Sequence, residues 1–253
     1  MRGGVIFGFR PTALDAPGIV ARLLAAPPER GVGLLVTPNI DHVRLLRADP
    51  TFAAAYAGAA VIACDGFPVA WYARLRGCTV AGRVTGCDIL HDLMRADALA
   101  RHRLFFIADG AATVRGLRAW AARYGIGDRV AIAVPPPGFE RNPGFCRGLA
   151  ARIGAHGTTL LVLGVGAPRS EVFVHSQREA LPACWALCVG QALRIEAGTA
   201  RRAPALLRGL NLEWLWRVAA EPRRLTGRYV LALAGFVRAV LGDLVQGSAQ
   251  GSA

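Results

Sequence analysis

Short runs of β-branched and aliphatic residues alternate along this chain with longer stretches of helical periodicity, and that alternation restricts the fold more than any other feature. The candidate strands are Gly4–Phe9, Val32–Val36, Ala60–Cys64, Arg103–Ala108, Arg129–Val134, Thr159–Gly164 and Cys184–Val189. Between them the pattern predicts helices near 12–26, 40–58, 68–77, 86–101, 111–124, 143–155 and 168–180. Strands that are apolar along their whole length are buried on both faces, and parallel neighbours need a crossover between them. The expected class is therefore α/β, a mostly parallel sheet flanked by helices (Rossmann-like), with a C-terminal amphipathic helical appendage. The expected organisation is an α/β domain over 1–198, the appendage over 199–246 and a flexible tail over 247–253.

Such sheets bind ligands outside the carboxyl ends of their strands. Four candidate strands run into polar or glycine-containing turns there: Thr37-Pro38-Asn39, Asp65-Gly66, Asp109-Gly110 and Gly164-Val165-Gly166-Ala167-Pro168. Each opens a helix, where free backbone N–H groups favour phosphate. Simpler roles compete: Asn39 is placed to cap a helix, Gly164 and Gly166 suit a tight turn, and Asp before Gly is a common turn pair. The chain has neither a GxGxxG nor a GxxxxGK[ST] sequence, so the dinucleotide fingerprint and the P-loop do not apply.

Charge narrows the partners. The formal net charge is +13 over 253 residues, and every basic side chain counted in it is arginine, since the sequence contains no lysine. That excess favours an anionic partner: nucleic acid, a phosphorylated substrate or the inner leaflet of a membrane. Between Arg201 and Gly247 eight arginines face three acids. Two apolar stripes run through the same segment, Leu207, Leu210, Trp214 and Val218, then Leu225, Tyr229, Leu233, Phe236, Val240 and Leu244, with Pro222 between them. A basic amphipathic helix pair with Trp214, Trp216 and Tyr229 suits an anionic membrane surface, while packing on the core is the plainer alternative. At 53% hydrophobic residues disorder is excluded, yet no stretch reaches the ~18–20 apolar residues of a spanning helix. The N-terminus enters a strand-like run at once, so no signal peptide and a cytosolic chain are expected. The six cysteines show no metal-ligand spacing and read as buried thiols, and the five histidines likewise show none, with His42 expected at the surface or in a cap.

Six segments in register resemble the WecG/TagA/CpsF family of bacterial glycosyltransferases. They are Thr37-Pro38-Asn39; Ala63-Cys64-Asp65-Gly66; Gly82-Arg83-Val84-Thr85-Gly86-Cys87-Asp88; Gly164 to Glu171; Ala197 to Pro204; and Leu212-Glu213-Trp214-Leu215-Trp216-Arg217 with Glu221-Pro222-Arg223-Arg224 and Arg228-Tyr229. The resemblance implies an inverting transferase that moves a sugar from a UDP-sugar to a polyprenyl-diphosphate-linked sugar, with no metal or other cofactor. It further implies a peripheral enzyme on the inner face of the cell membrane, docked through its appendage and serving cell-surface polysaccharide synthesis.

An inverting displacement needs a base within reach of the acceptor hydroxyl and positive charge for the departing UDP. Asp65 fits the base and also matches the family's proposed catalytic aspartate. The chain has no Asp-x-Asp pair to hold a metal, and arginine is the natural substitute for one, so Arg83, which aligns with the family's arginine, is the second candidate. Substrate binding is expected at Thr37, Asn39, Gly66, Gly164, Gly166, Pro168, Ser170 and Glu171 of the resembling segments, and at Gly110 of the Asp109-Gly110 turn. The resemblance assigns membrane or acceptor-diphosphate contacts to Arg201, Arg202, Arg217, Arg224 and Arg228. The chain departs from the family at Ser170 (usually Gln), Gly82 (usually acidic), Gln191 and Arg194 (usually Asp), which bears on sugar specificity, with N-acetylmannosamine or glucose as the donor. Other classes considered are a basic α/β nucleic-acid-binding protein and a membrane-associated scaffold with a decayed transferase site.

Overall fold

The computed structural model describes residues 4–250, with the side chains of Arg224 and of residues 246–250 outside that description. Its centre is a six-stranded sheet, parallel throughout, in the order β2-β1-β6-β5-β3-β4. The strands are β1 (Val32–Val36), β2 (Val61–Ile62), β3 (Leu104–Ile107), β4 (Val130–Ala133), β5 (Leu160–Leu163) and β6 (Cys184–Cys188). Successive side chains alternate between faces. Val36, Phe105, Ile107, Leu161 and Leu163 enter one core, while Leu35, Leu104, Phe106, Val162 and Leu187 enter the other.

Twelve α-helices lie among the described residues, and five of them open on a side-chain cap. They are α1 (Ala16–Ala25), α2 (Ile40–Ala48), α3 (Pro50–Ala57), α4 (Phe67–Leu75), α5 (Gly86–Leu93), α6 (Ala111–Arg123), α7 (Pro143–Ala155), α8 (Arg169–Ser176) and α9 (Ala192–Glu196), followed by α10 (Ala205–Gly209), α11 (Glu213–Ala220) and α12 (Pro222–Gln250). Asp15, Asn39, Asp49, Thr85 and Asn142 each accept backbone N–H groups of the helix they open. The helix expected over 40–58 is two helices, because Pro50 excludes Asp49 from helical geometry and Asp49 caps the second instead.

Three further expectations are corrected. Gly4–Phe9 is not a sheet strand: it makes one bridge, Ile6 to Phe9, with Phe7 in the left-handed region at φ 51°. That turn is anchored instead by aromatic packing, Phe7 lying 5.0 Å from Tyr72 of α4 and 5.8 Å from Phe236 of α12. Residues 247–250 of the expected tail continue α12, and 251–253 lie outside the described residues. His42 is buried, with Nδ1 2.9 Å from the Tyr56 hydroxyl, and burial pulls its pKa down to about 4. All six cysteines are buried free thiols, as expected.

The C-terminal helices lie against the α/β body. α12 runs along α2 so closely that a Cβ on Gly235 would stand 2.7 Å from the Arg44 side chain. The Arg47 guanidinium donates to the Ala239 carbonyl at 3.0 Å, and Arg228 donates to Asp41 of α2 at 2.8 Å. Asp243 fastens the far end, accepting from the Phe7 N–H at 3.1 Å and the Tyr72 hydroxyl at 2.7 Å. No helix among the described residues is long and apolar enough to cross a membrane.

Candidate active site

β1 and β2 end side by side, and their loops are stitched together by the Asp65 N–H donating to the Pro38 carbonyl at 2.9 Å. Gly66 follows at φ 142°, a conformation that glycine alone adopts readily, and it turns the chain straight into α4. Asp65 is thereby left half-buried at the carboxyl end of the sheet. Burial raises its pKa from 3.8 to about 6, against the downward pull of Arg217 and Arg83 and with an upward contribution from Glu213 and Asp88.

Those four side chains lie within electrostatic reach of it and are themselves paired. Glu213, only 6% exposed at the start of α11, holds Arg83 on one carboxylate oxygen and Arg217 on the other, the latter at 3.3 Å. Arg202 pairs with Asp88, which reciprocally caps α5 with Thr85. Burial raises the Asp88 carboxyl, but hydrogen bonds from Thr85 and Arg202 leave it below its usual value. The appendage thus does more than flank the domain: Glu213 and Arg217 come within electrostatic reach of a carboxylate roughly 150 residues earlier in the chain.

The other sequence-predicted residues fall into two groups. Thr37 is buried at the end of β1 with Gly86 packed against it, since a Cβ there would lie 3.4 Å from the Thr37 Oγ1. Asn39 does cap α2, its Oδ1 accepting from the Asp41 and His42 N–H groups at 3.0 and 3.3 Å. Arg228 is tied to Asp41, Arg201 is exposed, and the Arg224 side chain lies outside the described residues.

The second group surrounds a separate opening. β3 leads on to β4 on one side while β5 leads on to β6 on the other, so neighbouring strands send their chains in opposite directions. Such a divergence leaves a crevice. There lies a cleft of about 450 Å³ lined by Asp109, Val134 to Pro137, Phe139, Val165 and Arg169. Gly110 is extended beside it with open space around its Cα, and Gly166 at φ 78° shapes its loop. Gly164 makes a close approach, a Cβ there standing 2.5 Å from Leu193. Pro168 immediately precedes α8, whose first turn holds Ser170 and Glu171. Both are buried beneath the loop: the Ser170 hydroxyl donates to the Gly166 carbonyl at 3.3 Å, and burial pushes the Glu171 carboxyl up to about 7.

The sequence places Asp88 and Glu213 in the resembling segments without giving either a role, and it does not mark the Pro135–Pro137 wall. A carboxylate four residues before Arg217, one of only three acids in a strongly basic segment, was the available signal for Glu213. Arg194, one of the departures from the family, bridges the two regions, 3.5 Å from Asp109 at the cleft and 3.9 Å from Glu221 beside α12. Among the described residues no cluster of three or more His, Cys, Asp or Glu side chains is placed to hold a metal ion.

A carboxylate with raised proton affinity, two guanidiniums within electrostatic reach of it and a strand-end crevice are the kinds of group that transfer of a group from an anionic leaving group calls for. Comparison with known proteins agrees. Residues 5–250 match the glycosyl transferase WecG/TagA/CpsF family, and the chain belongs to that family. It is 26% identical over 214 residues, 82% of this chain and 78% of the relative, to an N-acetylglucosaminyldiphosphoundecaprenol N-acetyl-beta-D-mannosaminyltransferase of Bacillus spizizenii (strain ATCC 23059 / NRRL B-14472 / W23). The chain is a glycosyltransferase.

Proposed function

We propose that this glycosyltransferase moves a hexose, of N-acetylmannosamine or glucose type, from a UDP-sugar onto a polyprenyl-diphosphate-linked N-acetylglucosamine in a single inverting step. The observation that carries the reading is Asp65, a half-buried carboxyl with pKa about 6 facing the Arg83–Glu213–Arg217 cluster. Near neutral pH it is ionised yet basic enough to take a proton. The acceptor hydroxyl oxygen bonds to the anomeric carbon, its proton passes to Asp65, and the bond from that carbon to UDP breaks on the opposite face. Arg83 and Arg217 stabilise the departing diphosphate in place of a metal ion, and their shared carboxylate keeps both aimed.

The crevice at the ends of β3, β4 and β5 suits the nucleoside. Its three prolines and Phe139 offer apolar faces, Asp109 an acceptor for ribose hydroxyls, and Arg169 a cation near the phosphates. Gly110, Gly164, Gly166 and Pro168 set the backbone there, with Ser170 and Glu171 supporting it from below. Thr37 and Asn39 face the acceptor side. Asn39 commits its carbonyl oxygen to α2, so its amide N–H groups would meet a sugar. Arg201, Arg202, Arg224 and Arg228 supply positive charge for the acceptor diphosphate or the lipid headgroups. The segment 199–246 acts as the appendage that brings the α/β domain to the inner face of the cell membrane, where the product feeds cell-surface polysaccharide.

The test is a panel of UDP-sugars incubated with a short-chain polyprenyl-diphospho-N-acetylglucosamine, reading UDP release and the anomeric configuration of the product by NMR. The expected result is one preferred donor and an inverted linkage. A retained configuration would exclude the single displacement, and no release with any donor would defeat the assignment.

A further inference from the structure

α4 begins two residues after Asp65 and is apolar on two faces, which is more than the fold uses. Val69, Ala70, Tyr72 and Ala73 are buried. Phe67, Trp71 and Leu75, at i, i+4 and i+8, form a second row that stays 51%, 55% and 64% exposed. A row of large apolar side chains left in water is costly unless something covers it. The helix contains no acid, Arg74 lies within it and Arg76 follows it. Exposed tryptophan beside arginine is the composition of a surface resting at the headgroup level of a bilayer.

We propose that the Phe67–Trp71–Leu75 row enters the hydrocarbon edge of an anionic bilayer, so that the protein meets the membrane at the rim of its active site as well as through the C-terminal helices. The proposal rests on the transferase reading of Asp65. A lipid-linked acceptor whose sugar hydroxyl lies at Asp65 must lead its hydrocarbon away over neighbouring surface, and α4 is the helix that starts there.

A second observation gives the row a fixed orientation. Asp243 of α12 accepts from the Tyr72 hydroxyl at 2.7 Å and lies 3.8 Å from the Arg76 guanidinium, while Phe7 stacks on Tyr72. α4 is therefore riveted to α12, whose own outward row, Val230, Leu233, Val237, Leu241 and Leu244, is also exposed. Trp71 and Leu75 each precede a fastened residue by one position, and Leu244 follows Asp243 by one. The two apolar rows thus sit on helices joined by one polar rivet rather than on independently moving parts.

The experiment uses the full chain with phosphatidylglycerol-containing vesicles. Brominated acyl chains quench the intrinsic fluorescence of tryptophans that reach them, and the quenched fraction is expected to fall in Trp71→Phe. A Trp71→Ser/Leu75→Ser variant is expected to raise KM tenfold or more for a long-chain acceptor carried in vesicles. Its kcat/KM for a water-soluble short-chain acceptor should stay within twofold of the parent. Unchanged quenching in Trp71→Phe, or an unchanged KM for the vesicle-borne acceptor, overturns the proposal. So does a shift of the double variant from dimer to monomer in sedimentation with vesicle binding intact, which would assign the row to a second copy of the chain. Should the double variant fail to fold, the Trp71→Phe quenching decides alone. If the parent transfers sugar to neither acceptor, the transferase reading fails, and the quenching still decides the membrane contact.

Discussion

Asp65→Asn should make the protein more stable and almost inactive. An aspartate in the unfolded chain titrates near 3.8, whereas Asp65 in the fold titrates near 6. Below 3.8 both states hold the proton and the residue contributes no difference. As pH rises from 3.8 to 6 the unfolded state ionises first, so the fold loses stability, and above 6 the loss is complete. At about 1.4 kcal/mol for each tenfold in proton affinity, the loss reaches up to about 3 kcal/mol at pH 7.5. That figure already contains the attraction to Arg217 and Arg83, since it is the net of burial and charge. Asparagine has the same shape and never ionises, so the variant recovers this energy. The gain should appear as a rise in Tm of several degrees, up to about 10 °C, for a chain of this size. It should shrink to about half at pH 5 and vanish near pH 3.5. Turnover should fall by about 10²–10⁴, the usual worth of a general base. Thermal melts at the three pH values, beside UDP release at pH 7.5, make the measurement. An unchanged or lowered Tm at pH 7.5 would show that the carboxylate is not held against its own solvation, and retained turnover would remove it as the base.

Glu213→Ala leaves the Arg83 and Arg217 guanidiniums without their shared carboxylate, and breaking so buried a pair should cost about 3–5 kcal/mol in urea unfolding. A loss under about 1 kcal/mol would show that both arginines are satisfied elsewhere. Removing residues 201–250 takes away Glu213 and Arg217, so turnover should drop at least about 100-fold even with a short-chain soluble acceptor. Turnover preserved under those conditions would reduce the C-terminal helices to a tether. Gly116→Ala should destabilise by at least about 1–3 kcal/mol, because its Cβ would stand 2.0 Å from the Ala197 carbonyl oxygen. Gly110→Ala, in open space with extended backbone, should change stability by less than about 0.5 kcal/mol, so a raised KM for the UDP-sugar there would report nucleotide contact directly.

The sheet was legible because burial on both faces writes itself into composition: six of seven candidate strands are strands, and the strand-end loops stand where the α/β rule puts them. The exception, Gly4–Phe9, shows the limit of that rule. Ile6 and Phe9 are buried and Phe7 packs on Tyr72 and Phe236, all without a neighbouring strand, and composition does not distinguish the two cases. The appendage was legible as helices and illegible in orientation. Periodicity marks which residues share a face, whereas a protein core and a membrane both reward an apolar face, so the pattern alone does not say which face turns inward. In α11 the answer runs against the usual polarity: Glu213 is buried while Trp214 and Leu215 remain 48% and 46% exposed. What decides it is the pairing of Glu213 with Arg83, 130 positions away, which no local pattern contains. Glu213 sits between two arginines that both lie within electrostatic reach of Asp65. The outward Trp214 and Leu215 then follow from the pairing that turns Glu213 inward.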